Sequence, residues 1–496
     1  MISPVGSYIQ RSKPLALPKL DKWQYRLCRE IQPGGIRIGA FWLEVDRGLP
    51  AFPLMDVQGK PAGWILGHPI DFARERFLDG PVTLPAGFDA GDPDQVLRFL
   101  WSLGGIYLVL LDCPDGLWAY PDASAHIPLV YDRVTGNAGA SAHALLADPD
   151  YETRRDHALT ERLGVGGEGW LPAGFTAHHD ILRLLPNHRI RLDDGRTERF
   201  WPRRPVPTTT DPDAVVAETV RLLRAQVAAM EASGKRPALG LTGGTESRSI
   251  LAACRTFLGR MDIVTVTRGG DRPADTIISA RIAADMGIPR RELPRLTATP
   301  EQTALFIRRG GHAIGDTNSL YHPSVWPIAE SHIFIGGVGG EVGRAFFWRA
   351  SDTPDTAITA VLLNGRFGLP QTPQLIEALD AWLAGLPPGL DAYGILDLAY
   401  IEHRMGPWYA MQITCDPTLL RIHPLFTFRG VELLLSLPPD WKRASRLGPE
   451  MIRAHWPELM KYPFNSLGKV QDIWAKVRRA MRDPAVVMKK LRKLRY

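Results

Sequence analysis

The residues with the most chemical content in this 496-residue chain are Thr242-Gly-Gly-Thr-Glu-Ser247. They follow the apolar run from Ala238 to Leu241. They precede a helix-like pattern in which Ile250, Leu251, Ala253, Cys254 and Phe257 are apolar. Gly243 and Gly244 allow a tight bend that exposes backbone N–H groups. A helix starting there adds unpaired N–H groups and the positive end of its dipole. With the hydroxyls of Thr242, Thr245 and Ser247, the stretch makes a nest suited to phosphate. Glu246 is out of place beside a phosphate unless a metal bridges them, and Mg²⁺ commonly joins carboxylates to substrate phosphates. The competing reading is a plain strand–turn–helix with Glu246 as a first-turn acid. Arg248 is then either one more phosphate contact or an exposed arginine on a helix surface.

These residues need a strand before them and a helix after them, and the surrounding pattern provides both. A linker, Trp201 to Ala214, carries four prolines and three successive threonines, which discourage helix and ladder pairing. Before it, "RIGAFWLEV", "GGIYLVLLD" and "GLWAYPD" are short β-rich runs punctuated by Gly, Pro and Asp. After it, a helix is expected over 212–232 and a strand over 238–241. A helix over about 246–257, a strand over 262–267, a helix over 274–286 and a strand over 333–335 follow. Alternation of this kind implies a parallel sheet covered on both faces. Ligands of such sheets bind outside the carboxyl ends of the strands, where Thr242–Ser247 falls.

Composition narrows the class. The chain is 45% hydrophobic and 23% charged with 14 Trp, an ordinary globular balance with room for two or three domains. Cys28, Cys113, Cys254 and Cys415 are far apart with no CxxC spacing, so neither a zinc site nor a disulfide framework is expected. With no apolar leader at the start and no run near roughly 20 apolar residues, a cytoplasmic protein is expected. The net charge of +6 comes from the end of the chain: residues 469–496 hold ten Lys or Arg against two Asp, and the remainder is slightly acidic. That tail is a solvated basic helix or a dock for an acidic partner. A nucleic acid substrate is not expected, since no basic groove interleaved with aromatics occurs elsewhere.

The glycine loop resembles the pyrophosphate-binding loop of the asparagine synthetase family, Ser-Gly-Gly-x-Asp-Ser, which β-lactam synthetases and lasso-peptide cyclases share. "FIGGVGGEVG", Phe334 to Gly343, resembles that family's second loop, and places Glu341 where the family has a magnesium-binding Asp. "HPLFTFRGVELLLSLPPDWK", His423 to Lys442, resembles its Pro-Phe-Leu-Asp segment. "KYPF", Lys461 to Phe464, resembles the segment carrying its catalytic lysine. Thr176 to Pro202 and Gly104 to Tyr131 resemble parts of its N-terminal glutaminase-like domain. The likeness runs in family order from about residue 100 to 465.

The resemblance implies an N-terminal α+β, β-rich glutaminase-like (Ntn-type) domain over residues 1–205. It implies an α/β parallel-sheet ATP-pyrophosphatase domain over 206–468, with 469–496 as a basic tail. It implies an ATP-dependent amide ligase that forms an acyl-adenylate and releases pyrophosphate before an amine displaces AMP. ATP phosphates would lie on Thr242, Gly243, Gly244, Thr245, Glu246, Ser247 and Gly339. Mg²⁺ would be held by Glu246 and Glu341, and Lys461 would offset developing charge. The substrates would be a small-molecule or peptide carboxylate and an amine or ammonia.

Departures from the pattern shape the expectation. No cysteine stands at the start of the sequence, which opens Met1-Ile2-Ser3, so glutamine hydrolysis is not expected and Cys28 is not a nucleophile. Both metal-binding aspartates are glutamates, each one methylene longer, which leaves a catalytically degenerate scaffold or nucleotide-binding subunit as the alternative. Val338 and Thr427 stand where the family has acids or Tyr. The acid or base is therefore sought in Glu402, with His403 and Arg404 beside it, against a reading of that stretch as helix surface with Trp408 in the core. Asp316, Asn318 and His322 are candidates for an acceptor pocket or for a self-satisfied loop. Asp275 reads as a first-turn acid.

Overall fold

The computed structural model describes residues 17–165, 170–267, 274–313 and 317–465. Asp316 and the basic stretch 469–496 lie outside them. Among the described residues, 25–199 supply two sheets. One has six strands, all antiparallel, including Tyr25–Cys28 and Phe41–Val45. The other has eight, built around the long strands Pro61–Asp71 and Leu103–Cys113, and is antiparallel except where Ala51–Met55 meets Val82–Thr83. The run "RIGAFWLEV" is a hairpin, turning at Gly39 with φ +54° between Ile36–Ile38 and Phe41–Val45. The glycines that interrupt the apolar run after Phe99 have a packing reason. Gly105 has φ +77°, and a Cβ there would lie 2.2 Å from the His68 carbonyl oxygen. From Leu103 onward that apolar run is thus a sheet strand, preceded by the end of the helix Pro93–Trp101, and no helix among the described residues is long and apolar enough to cross a membrane.

The expected parallel sheet forms beyond the linker. Its strands are β1 (Arg236–Gly240), β2 (Asp262–Thr267), β3 (Arg290–Pro294), β4 (His332–Ile335) and β5 (Arg421–Ile422). Their spatial order is β3-β2-β1-β4-β5, every neighbouring pair parallel. The chain starts in the middle, builds outward to β3, then returns to the other side of β1. The order therefore reverses between β1 and β4, and a crevice opens at their carboxyl ends. Helix α1 (Pro212–Ala232) begins at Asp211, whose side chain accepts the Ala214 N–H, with Pro212 in the first turn. Helices α2 (Thr245–Ala253) and α3 (Ala274–Asp285) follow β1 and β2. Leu239, Leu241, Ile250, Leu251, Ala252 and Ala253 are all fully buried, fixing α2 against the sheet.

The two halves share buried polar ties. Gln226 of α1 is fully buried. It accepts the Gly105 N–H (3.2 Å) and donates to the Pro424 carbonyl (2.8 Å), joining the antiparallel sheet to the segment after β5. Each of these groups would cost about 1–3 kcal/mol if buried without a partner.

Candidate functional site

The β1–α2 loop is held in a defined shape. The Thr242 N–H donates to Ser247 Oγ at 3.1 Å, and the two hydroxyls lie 2.9 Å apart. The Gly244 N–H donates to Thr242 Oγ1 (3.1 Å), and the Gly243 N–H donates to Asp275 Oδ1 (3.0 Å). A carboxylate thus already sits on one donor of the nest, from the first turn of α3. No side-chain hydrogen bond caps α2 at Gly244, so the helix N-terminus keeps its capacity for an acceptor.

Arg248 takes neither role expected of it. It is fully buried, the largest such side chain among the described residues, and its guanidinium binds carbonyls. Nη2 donates to Gly243 (3.1 Å) and Pro463 (2.8 Å), and Nη1 to Tyr462 (2.7 Å) and Leu459 (3.4 Å). Burial pushes its pKa down to about 10. The Asn465 N–H returns to the Gly243 carbonyl at 3.0 Å. Arg248 therefore fastens residues 459–465 to the back of the loop.

The second loop leaves β4 through four glycines. A Cβ on Gly337 would lie 3.1 Å from Glu246 Cβ, and one on Gly340 3.2 Å from Glu246 Cγ, so their absence lets the loop approach α2 closely. Gly339 has φ +108° and donates its N–H to Glu341 Oε2 at 3.0 Å. Residues Gly340–Arg344 form a 3₁₀ turn, in which side chains three apart eclipse. Arg344 thus lies over Glu341, with Nη2 at 3.3 Å from Glu341 Oε1 and 2.9 Å from Glu246 Oε1. The second contact has ion-pair distance without hydrogen-bond alignment, for Glu246 Oε1 is buried with no hydrogen bond. Burial, together with the neighbouring Glu246, raises the Glu341 pKa despite Arg344.

Both loops open into a cavity of about 750 Å³ at the crevice between β1 and β4, lined by Thr242, Glu246, Ser247, Asp275 and Glu341 among others. Asn318 and His322 line the same cavity, as does Val338. Phe306, Tyr321, Phe334 and Tyr409 make much of it aromatic, and Arg295 and Arg421 are also in its wall. Arg421 is paired with Asp416 at 3.0 Å. His423, just past β5, is buried and lines the cavity too, with Nδ1 lacking a hydrogen bond. Its ring stacks on buried His126 from the antiparallel half, centroids 5.3 Å apart and 8° from coplanar. Burial, reinforced by His126, holds the His423 pKa well below its ordinary value.

Two expected catalytic residues do not join this group. Glu402 is fully buried and spoken for. It accepts from Arg199 through both oxygens (2.5 and 2.7 Å), from Asn187 (2.9 Å) and from Trp382 (2.6 Å). These donors overcome burial and hold its pKa near 2. It is an anchor between the halves rather than an acid or base. Neighbouring His403 is equally buried and accepts the Ala173 N–H at 3.1 Å. Lys461 is half exposed, lies 3.8 Å from Asp285 Oδ2 and is not part of the cavity lining. Thr427, in place of an acid, caps the helix Phe428–Leu435 by accepting the Gly430 N–H. Cys28 is buried in its strand, and burial pushes its thiol up to about 11.

No family model matches this chain, and no curated protein does. Among solved structures, the chain is similar to the U34-tRNA thiolase NcsA from Methanococcus maripaludis, at 16% identity over 48% of this chain with a TM-score of 0.21. It spans 65% of that thiolase, just under two thirds of its length. It is also similar to NMN synthetase from Francisella tularensis, at 13% identity over 40% of this chain and 94% of the other, with a TM-score of 0.20. Overlaps of this size say nothing of what this chain binds.

Three residues of the site escaped the sequence reading. Arg344 stands three positions after Glu341, a spacing that brings the two side chains together only once the segment is helical, here as a 3₁₀ turn. Arg421 opens and His423 follows a strand of two residues, too short for any periodicity to mark.

Proposed function

We propose that this chain is an ATP-dependent, AMP-forming ligase that activates a carboxylate as an acyl-adenylate and passes it to an amine. The observation that carries the reading is the meeting of the two glycine loops at the crevice where the strand order reverses, with Glu246 and Glu341 drawn onto one cation. In this reading residues 1–205 are a glutaminase-like domain and 206–468 an ATP-pyrophosphatase domain. The uncapped N-terminus of α2 and the hydroxyls of Thr242 and Ser247 bind the departing pyrophosphate. Asp275 keeps the Gly243 N–H directed until a phosphate oxygen takes it. Lasso-type peptide cyclisation and amidation of a small or sugar-linked carboxylate are the reactions in view, and the aromatic wall suits an apolar portion of the substrate.

Two carboxylates facing one guanidinium leave net negative charge and a buried oxygen without a hydrogen bond, a donor set that fits a divalent cation. Glu246 and Glu341 would hold magnesium, which when bound neutralises phosphate charge.

ATP with Mg²⁺ at millimolar concentration should raise the melting temperature, since ligands binding only the native state stabilise it. Gly244→Val, with Thr242 Oγ1 and Asn465 Oδ1 only 3.2 and 3.3 Å from a Cβ at that site, should abolish the shift. An unchanged melting temperature with ATP would count against the reading. The rival, a nucleotide-binding scaffold, is favoured by the paired state of both glutamates. Exchange of labelled pyrophosphate into ATP, given a carboxylate substrate, separates the two: the ligase supports exchange that Glu246→Gln eliminates, and the scaffold supports none.

A further inference from the structure

Arg344 stands between the two glutamates that, on the nucleotide-site reading above, would hold magnesium. A metal bridging two carboxylates does so as one positive point within reach of an oxygen from each. Arg344 Nη2 does the same, at 2.9 Å from Glu246 Oε1 and 3.3 Å from Glu341 Oε1. Its side chain is about one-third exposed, whereas the glutamates are about one-fifth exposed. The arginine side chain is thus the more exposed member of the trio, and its Nε is buried without a hydrogen bond. Its ion pairs are to these two carboxylates. Among the described residues no third His, Cys, Asp or Glu joins the pair to make a metal cluster.

We propose that Arg344 is the resident cation of this site, competing with a divalent metal for Glu246 and Glu341. The guanidinium then offsets one of the two negative charges without metal, and a divalent ion enters only by displacing it. A bound nucleotide favours that exchange, because its phosphates attract both the metal and the freed arginine. Arg344 is thus a positioning residue that sets how much metal the empty site holds.

The test is a titration of the full chain with Mn²⁺ alone, followed by electron paramagnetic resonance of the free ion. Wild type should bind Mn²⁺ weakly, and Arg344→Gln at least about tenfold more tightly, since removal of the guanidinium leaves two unpaired carboxylates. Arg344→Lys, which keeps a charge but not the fork, should fall between them and serves if the glutamine variant does not fold. Glu341→Gln added to Arg344→Gln should remove the gain. Equal Mn²⁺ affinity in wild type and both arginine variants would overturn the proposal, as would a gain that survives Glu341→Gln. No nucleotide is present, so failure of the ATP reading would show separately, as absence of an ATP-dependent melting shift in wild type and variants alike.

Discussion

A carboxylate's surroundings decide its work, and the four acids at issue have very different ones. Glu246 and Glu341 face a cavity and share one arginine, whereas Glu402 is sealed among Arg199, Asn187 and Trp382. Breaking a buried pair of that kind costs about 3–5 kcal/mol, so Glu402→Ala should lower unfolding free energy by that order in urea titration. The ATP-induced melting shift should persist in whatever folds. The depressed pKa of Glu402, about 2 against an ordinary 4.5, adds stability above pH 4.5 that is lost as pH falls through 2. Lys461→Ala, by contrast, removes an exposed contact to Asp285, the fourth acid, and should leave the melting temperature nearly unchanged with the ATP shift intact. Residue types and order in the two loops were enough to single out Glu246 and Glu341. Nothing near Glu402 in sequence reveals Arg199, some two hundred positions earlier, so its burial could not be read there.

The elements that position the loops were legible where pattern and length were both strong. Helix α1 spans the residues its periodicity predicts, and β2 does as well. The predicted helix after the glycine loop is in fact α2 followed by a separate 3₁₀ turn, Arg255–Phe257, a break at Cys254 that apolar spacing does not reveal. Strands β3 and β5 were missed: β3 is an edge strand with three charged residues among five, and β5 has only two residues. The parallel sheet nevertheless followed from the alternation of the remaining elements. Arg248 joins α2 to residues 459–465 through backbone carbonyls alone. Arg248→Lys cannot span four carbonyls with one ammonium, and charge-assisted bonds are worth about 1.5–3 kcal/mol each. Loss of roughly 2–3 kcal/mol is therefore expected, with faster proteolytic cleavage within 459–465. Unchanged cleavage would argue that this segment is held by other contacts.

At the scale of the molecule, several histidines are neutral because they are buried. Burial brings His178 and His403 down to about 3 and His68 and His312 down to about 4, from an ordinary 6.5. Their folded pKa values are depressed, so they add stability above pH 6.5 that drains away as pH falls toward 3. The melting temperature should decline steadily from pH 6.5 to pH 4. His403→Gln, which keeps an acceptor for the Ala173 N–H without taking up a proton, should flatten part of that decline. The ties that cross the chain have one more consequence. Gln226, Glu402 and the His126–His423 stack each place one partner before the linker and the other after it. A fragment starting at the linker would leave Glu402 without Arg199 and Asn187 and the Gln226 side-chain oxygen without its donor, and the cavity-lining His423 would lose the ring stacked behind it. The linker reads as a seam in sequence, yet the halves are not interchangeable parts: a chimera with a foreign first half would have to bring its own Arg199, Gly105 and His126 equivalents before the second half could keep its cavity.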